Sequence, residues 1–268
     1  MILTVDGAEV FATTGGKPFN PDQPLVIFLH GAGFDHSMWA LFSRWFSHHG
    51  YSVLAPDLPG HGKSKGSLIP TISGMADWVI KLIEAAGAKK AGLVGHSMGS
   101  LIALDAAARY PDKISALSLI GVGGAMPVSP DLLNAAKDNN HDAIDMVSIW
   151  GFGFGATLGG SQAPGLWMLG GGMRVLERDA PGVLHNDLAA CNDYKTAMDA
   201  AAKVTAPTTL VLGERDMMTP LKSGKQLAAT IAGSKQIVLP GAGHMMTAER
   251  PDDVLKALIA ANTHKQPA

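Results

Sequence analysis

The chain reads as an α/β protein whose parallel sheet is covered on both faces by helices, and three observations predict it. Short apolar runs alternate along the chain with longer helix-like stretches, the rhythm of strand–helix–strand units. The runs are apolar throughout rather than at every second residue, as in Leu25-Val-Ile-Phe-Leu29, which marks strands buried on both sides. A length of 268 residues, 47% hydrophobic and 16% charged, supplies a large core for one sizeable domain or one domain carrying an insertion.

In order, Ile2 to Val5 and Glu9 to Thr13 read as a small antiparallel start. Leu25 to Leu29, Tyr51 to Ala55, Ala91 to Val94 and Ile114 to Ile120 read as buried strands. Thr208-Thr-Leu-Val-Leu212 and Gln236-Ile-Val-Leu239 resume the series. Helix-like stretches fall between them at Ser37 to His49, Ile72 to Ala86, Met98 to Arg109, Leu221 to Ile231 and Asp252 to Ala261. From Val122 to about Lys203 the strand signal vanishes, and short amphipathic pieces (Leu132–Ala136, Ile144–Trp150, Val183–Cys191) suggest an inserted helical cap. The expected division is therefore a core of residues 1–121 and 204–268 with a cap of 122–203.

Residues 146–173 carry no charged side chain, a length that could cross a bilayer. Their glycines, the GFGFG and GGG runs, Pro164, Ser148, Ser161 and Gln162 make a poor continuous helix, so the segment reads as mobile, buried or substrate-facing rather than as a membrane span. A net charge of -2 gives no basic field for nucleic acid. Cys191 is the only cysteine, which rules out an internal disulfide and argues against a Cys-based zinc site. The N-terminus lacks a basic stretch followed by an apolar run, so no secretory leader is expected, and a cytoplasmic location fits. Nothing in the residues specifies an oligomer.

Gly95-His-Ser97-Met-Gly99 fits G-x-S-x-G, and its context sharpens it: the motif follows a buried strand and opens a helix. Small residues at Gly95, Gly99, Ser100 and Ala103 let strand and helix approach across a strained turn. A serine hydroxyl needs an adjacent base, and that base needs a third group to orient it. His244, in Gly241-Ala-Gly-His244-Met-Met, and Asp216, in Leu212-Gly-Glu-Arg-Asp216-Met-Met-Thr-Pro220, each follow their own strand at the end where open α/β sheets place their sites. Glu214 competes with Asp216; Asp57 also follows a strand but lies upstream of Ser97, out of the Ser–Asp–His order. Among the other histidines, His96 should point away along its strand, and His30 and His61 sit in turn-like HG contexts suited to structural hydrogen bonds. His36, His48, His49, His141, His185 and His264 have no motif around them. Negative charge developing on a carbonyl oxygen needs donors already in place: the backbone N–H of Ala32 in His30-Gly-Ala-Gly33, with Gly33 as alternative, and the N–H of Met98.

HGAGFDHSMW, APDLPGHGKS, GHSMGS, LGERDMMTP and GAGHMMTAERP together resemble the successive sequence blocks of the α/β-hydrolase superfamily, over residues 1–121 and about 204–268. The resemblance implies an eight-stranded, mostly parallel sheet flanked by helices, with a cap inserted after the sixth strand. By position it implies nucleophile Ser97, acid Asp216 and base His244, and a shaping role for the loop carrying Asp57. Haloalkane dehalogenases and epoxide hydrolases look similar but carry Asp where this chain has Ser97. No metal-ligand cluster or phosphate-cradling loop is evident, and no cofactor is implied.

The expected activity is that of a serine hydrolase, carboxylesterase-like (EC 3.1.1 class), cleaving a small-molecule ester through an acyl-serine intermediate. Alternatives using the same residues are C–C bond hydrolysis of a diketone, enol-lactone hydrolysis and cofactor-free perhydrolysis; a ligand receptor that has kept the fold belongs to another class. Methionines in the cap (Met126, Met146, Met168, Met173, Met198) and near the catalytic loops (Met98, Met217, Met218, Met245, Met246) fit either an adaptable apolar pocket or simple core packing.

Overall fold

The computed structural model of the chain describes residues 1–160 and 167–262. Strands β1 (Ile2–Val5), β2 (Ala8–Thr13) and β3 (Leu25–Leu29) are followed by helix α1 (Ala40–His48), strand β4 (Ser52–Pro56) and helix α2 (Ile72–Ala85). Then come β5 (Ala91–His96), α3 (Met98–Arg109) and β6 (Ile114–Ile120). Among the described residues six helices follow: α4 (Pro130–Lys137), α5 (Asp142–Gly151), α6 (Phe154–Thr157), α7 (Met168–Leu176), α8 (Val183–Asp193) and α9 (Ala197–Ala201). The chain ends with β7 (Thr208–Gly213), α10 (Leu221–Thr230), β8 (Lys235–Leu239), α11 (Met246–Glu249) and α12 (Pro251–Asn262).

All strands form one eight-stranded sheet in the order β1-β2-β4-β3-β5-β6-β7-β8. The first two are antiparallel to their neighbours and the rest are parallel. The unbroken apolar runs have a direct cause. Leu25, Ile27 and Leu29 face the core shared with α2 and α3, whereas Val26 and Phe28 face the other core, built on Trp39, Phe42 and Phe46 near α1 and Val254 and Leu258 of α12. Parallel register aligns Leu29 with Gly95, His96 with Ile120, and Gly213 with Leu239. Every loop leaving those residues therefore emerges at one edge of the sheet.

The helices between β6 and β7 carry a third apolar cluster, in which Leu132, Val147, Phe152, Met168, Leu176 and Leu188 meet Phe34 and Met245 of the sheet-edge loops. Helix α9 packs instead on α3 and α10, and Ala197 and Ala201 belong to the large core. The charge-free segment forms no continuous helix: it is divided among the end of α5, α6 and α7. Its Ser161, Gln162 and Pro164, and the terminal His264, lie outside the described residues. The glycine-rich Met168–Leu176 helix has weak intrinsic propensity but packs against α5, a tertiary contact that overrides it. Among the described residues no helix is long and apolar enough to cross a membrane.

Candidate active site

Ser97 occupies the sharp turn between β5 and α3 with φ 54° and ψ -116°, a conformation that holds roughly 1–3 kcal/mol of strain in a non-glycine residue. The turn is tight enough that a Cβ on Gly95 would strike the Gly99 backbone, and one on Gly99 would strike the Leu29 carbonyl. The loop after β3 closes over the turn in the same way. A Cβ on Gly31 would lie 2.9 Å from His96 Nδ1 and 3.4 Å from Ser97 Cβ.

The loops after β7 and β8 bring Asp216 and His244 together. His244 Nδ1 lies 2.8 Å from Asp216 Oδ2, and both side chains are buried. Asp216 accepts backbone N–H bonds from Met218 (2.9 Å) and Thr219 (2.7 Å) on Oδ1, and the Thr219 hydroxyl (2.6 Å) on Oδ2. Burial pushes the Asp216 carboxyl up, but His244 and the Thr219 donors outweigh it and hold it below the usual range. A carboxylate bonded to Nδ1 requires the Nδ1–H tautomer, which leaves Nε2 as an acceptor. Nε2 is buried and has no hydrogen-bond partner among the described residues. Glu214, the competing acid, instead accepts the Gly241 N–H at 2.8 Å and makes no bond to His244. The His244 loop is clamped by Glu249, whose carboxylate accepts the N–H groups of Gly243 (3.1 Å) and Gly153 (3.2 Å).

Ser97, His244, Gly31 and Ala32 line a cavity of about 230 Å³, closed by Met126, Leu132, Val147, Trp150, Phe152 and Leu188 from the segment between β6 and β7. No Asp, Glu, Lys or Arg lines it, among the described residues. Met126, Met217, Met218 and Met245 are at its wall, while the Met98 side chain is fully buried in the main core. Met98 is the first residue of α3, so its N–H lacks an intrahelical acceptor. Of the two candidate donors after β3, Gly33 gives its N–H to Asp187 Oδ2 at 3.0 Å; Ala32 N–H has no acceptor among the described residues.

His96 corrects the expectation that it points away. Its ring packs tilted against His244 with centroids 4.9 Å apart, and its Nε2 lies 3.0 Å from the His244 carbonyl. His96 is still within β5, paired with Ile120, on the side of the sheet that Val94 faces, and the His244 loop covers that side. Burial, then the adjacent His244, lower its pKa to about 3, so it is neutral. His30 and His61 do make structural bonds. His30 uses Nδ1 toward the Gly31 carbonyl (2.9 Å) and accepts the Leu58 N–H on Nε2 (3.1 Å), which requires a neutral ring; burial, then His61, take its pKa to about 4. His61 faces two acceptors, the Pro59 carbonyl (3.1 Å) and Asp187 Oδ2 (2.8 Å), which requires a cation. Burial opposes that charge, but Asp187 and the Pro59 carbonyl win and raise its pKa to about 9.

Asp57 ties its own loop, through the Lys63 N–H (2.9 Å), to the segment after β3, through the His36 backbone N–H (2.7 Å). One grouping with metal-ligand spacing exists among the described residues, Asp35, His36 and Asp57, with atoms within 4.8 Å of one another. Its atoms are already committed: His36 Nδ1 meets Asp57 at 2.7 Å, and the Arg178 guanidinium sits 2.8 Å from Asp35, where it opposes a cation. Sequence reasoning missed Thr219, Glu249 and the His61–Asp187 pair. For Thr219 a signal existed, since an Asp followed by two bonded N–H groups is an Asx-type turn; for Asp187, alone on a helix, none did.

Known proteins of similar sequence and fold include hydrolases. A 2-hydroxy-6-oxo-6-phenylhexa-2,4-dienoate hydrolase of Burkholderia cepacia is 29% identical over 245 residues, covering 85% of this chain and 83% of that one. Among solved structures, the enol-lactonase from Burkholderia xenovorans LB400 superposes with a TM-score of 0.88 at 23% identity, over 98% of this chain and 100% of the other. An esterase from Exiguobacterium antarcticum gives a TM-score of 0.83 at 19% identity, over 97% and 98%. The model described as "Alpha/beta hydrolase family" matches residues 26–257, and the chain belongs to that family of hydrolases.

Proposed function

We propose that the chain is a serine hydrolase of carboxylesterase type, acting on neutral esters with compact to medium apolar groups. The observation that carries this reading is a single uncharged cavity holding Ser97 beside a histidine whose Nδ1 is bound to a carboxylate and whose Nε2 is unpaired. Ser97 Oγ attacks the ester carbonyl carbon as His244 Nε2 takes its proton. Asp216 keeps the tautomer and stabilises the imidazolium. The N–H groups of Ala32 and Met98 hold the oxyanion. Collapse breaks the bond to the alcohol oxygen, which leaves with the proton from His244. Water, deprotonated by the same histidine, then attacks the acyl-serine and releases the acid. Residues 1–121 and 204–268 form the catalytic core in this scheme, and 122–203 act as the cap that shapes the acyl site. The scheme needs no cofactor.

C–C bond hydrolysis uses the same residues, and the Burkholderia cepacia relative is named for a dienoate, which carries a carboxylate. Among the described residues no Lys or Arg lines the cavity wall, which favours the neutral ester. A fluorophosphonate should label Ser97 stoichiometrically, and a panel of esters graded in acyl length, run with a diketone and an enol-lactone, should show turnover greatest for neutral esters. A folded protein that takes no label and turns over no ester overturns the reading and leaves a non-catalytic receptor.

A further inference from the structure

Asp187 lies on α8, in the inserted helices, and is fully buried. Its Oδ2 accepts two hydrogen bonds, from Gly33 N–H at 3.0 Å and from the His61 ring at 2.8 Å. Gly33 is the third residue of a turn closed by the Phe34 N–H on the Gly31 carbonyl (3.1 Å), and its φ of 68° is the value a type II turn needs there. The same residue is gripped from the side: a Cβ on Gly33 would lie 2.8 Å from Leu176, 2.9 Å from Leu184 and 3.4 Å from Asp179 Oδ2. The inserted helices therefore hold the loop that supplies the oxyanion donor.

We infer that Asp187 is a positioning residue for the oxyanion hole: by accepting the Gly33 N–H it fixes the turn so that Ala32 N–H alone is presented beside Ser97. The inference rests on the serine-hydrolase reading above. Two successive N–H groups in a glycine-rich turn compete as donors unless one is committed, and a turn free to flip its central peptide re-aims the Gly33 N–H and the Ala32 carbonyl that flank the Ala32 N–H. Stabilisation of a developing oxyanion depends on donors already aimed, and a displacement of about 1 Å loses on the order of a hundredfold in rate. His61 completes the arrangement. As a cation it keeps Asp187 ionised despite burial, and it anchors the carboxylate to the Pro59 loop of the core rather than to the insert alone. Leu188 and Cys191, the next residue and the next turn of α8, line the cavity, so the helix that touches the substrate also aims the donor.

The test compares Asp187→Asn, Asp187→Ala and Asp187→Glu with the parent chain. Asparagine keeps an oxygen where both donors meet; alanine removes it; glutamate keeps the charge but moves the acceptor by one methylene. Asp105→Asn serves as a structural control, since Asp105 bonds the Tyr194 hydroxyl at 2.8 Å and touches no part of the donor loop. Readouts are Tm, kcat and KM on a neutral ester, and the second-order rate of Ser97 phosphonylation by a fluorophosphonate, whose P=O oxygen uses the same donors. The alanine and glutamate variants should lose at least about tenfold in kcat and in phosphonylation rate with KM within about threefold, while asparagine stays within about fivefold of the parent. Asp105→Asn should lower Tm and leave kcat unchanged. Folded alanine or glutamate variants with unchanged kcat and phosphonylation overturn the inference, as does an asparagine variant as impaired as alanine. Should alanine not fold, glutamate and asparagine decide alone. A parent chain that takes no phosphonate overturns the serine-hydrolase reading itself, an outcome separate from variants that label at the parent rate.

Discussion

Adding one carboxylate to the substrate tests the uncharged cavity most directly. Methyl hexanoate and monomethyl adipate differ only in replacing the terminal methyl with a carboxylate, and dimethyl adipate restores neutrality at greater length. The cavity of about 230 Å³ is large enough for several water-sized groups, so an acyl chain that enters it takes its far end out of bulk water. There the carboxylate meets Leu132, Val147, Trp150, Phe152 and Leu188. His96, with its pKa lowered to about 3 by burial, is neutral and offers no counter-charge. The uncompensated desolvation of a buried carboxylate is several kcal/mol, and a loss of about 3 kcal/mol corresponds to a fall in kcat/KM of roughly 150-fold. Initial rates at pH 7, followed by pH-stat or by released methanol, give the three values. Monomethyl adipate should fall by about two orders of magnitude and dimethyl adipate should recover most of the loss. A monomethyl adipate rate within about threefold of methyl hexanoate refutes the argument, because a cation must then reach the acyl end.

The remaining predictions concern single side chains. Ser97→Ala should lower ester turnover by about 10³-fold or more with the fold retained, since the residues act as a unit; activity above about a tenth of the parent's removes Ser97 from the role. Asp216→Asn should lower kcat by about 10³–10⁴ by favouring the wrong tautomer, whereas Glu214→Gln, whose carboxylate holds only the Gly241 N–H, should change it little; a reversal moves the acid role to Glu214. The isosteric Thr219→Val removes the 2.6 Å donor to Asp216 and should lower kcat by about tenfold, a loss that Thr219→Ser, which keeps the hydroxyl, recovers. His61 has its pKa raised from 6.5 to about 9, so its stabilisation is fully present below pH 6.5 and lost as pH rises through 9. Urea midpoints measured from pH 7 to 10.5 should fall across that upper range by an amount equivalent to as much as about 3 kcal/mol, and His61→Gln should abolish the step.

The division between sequence and tertiary structure follows the range of the interactions. Buried parallel strands announce themselves locally, because Leu25 to Leu29 must be apolar on both faces whatever else the chain does. Helix α3 and strand β6 fall on the residues expected, Met98–Arg109 and Ile114–Ile120, because the sharp turn at Ser97 and the turn through Pro111 bound them. Ser97, Asp216 and His244 were legible for a related reason: each follows its own strand, and parallel register delivers strand ends to one edge. The glycine-rich α7 was not, since its helix depends on α5 rather than on its own propensities. His96 was misread because what covers the end of β5 is decided at long range, by the His244 loop 148 residues on. Nothing near Asp187 or Glu249 in sequence distinguishes them from solvated helix carboxylates. Each acquires its partners from more than one segment, Gly33 and His61 for the first, Gly153 and Gly243 for the second. The amino-acid sequence by itself determined the sheet, its edge and the residues on that edge. Only the folded chain decided which of two glycine-loop N–H groups stays free, because that choice is made by a carboxylate 154 residues away in sequence.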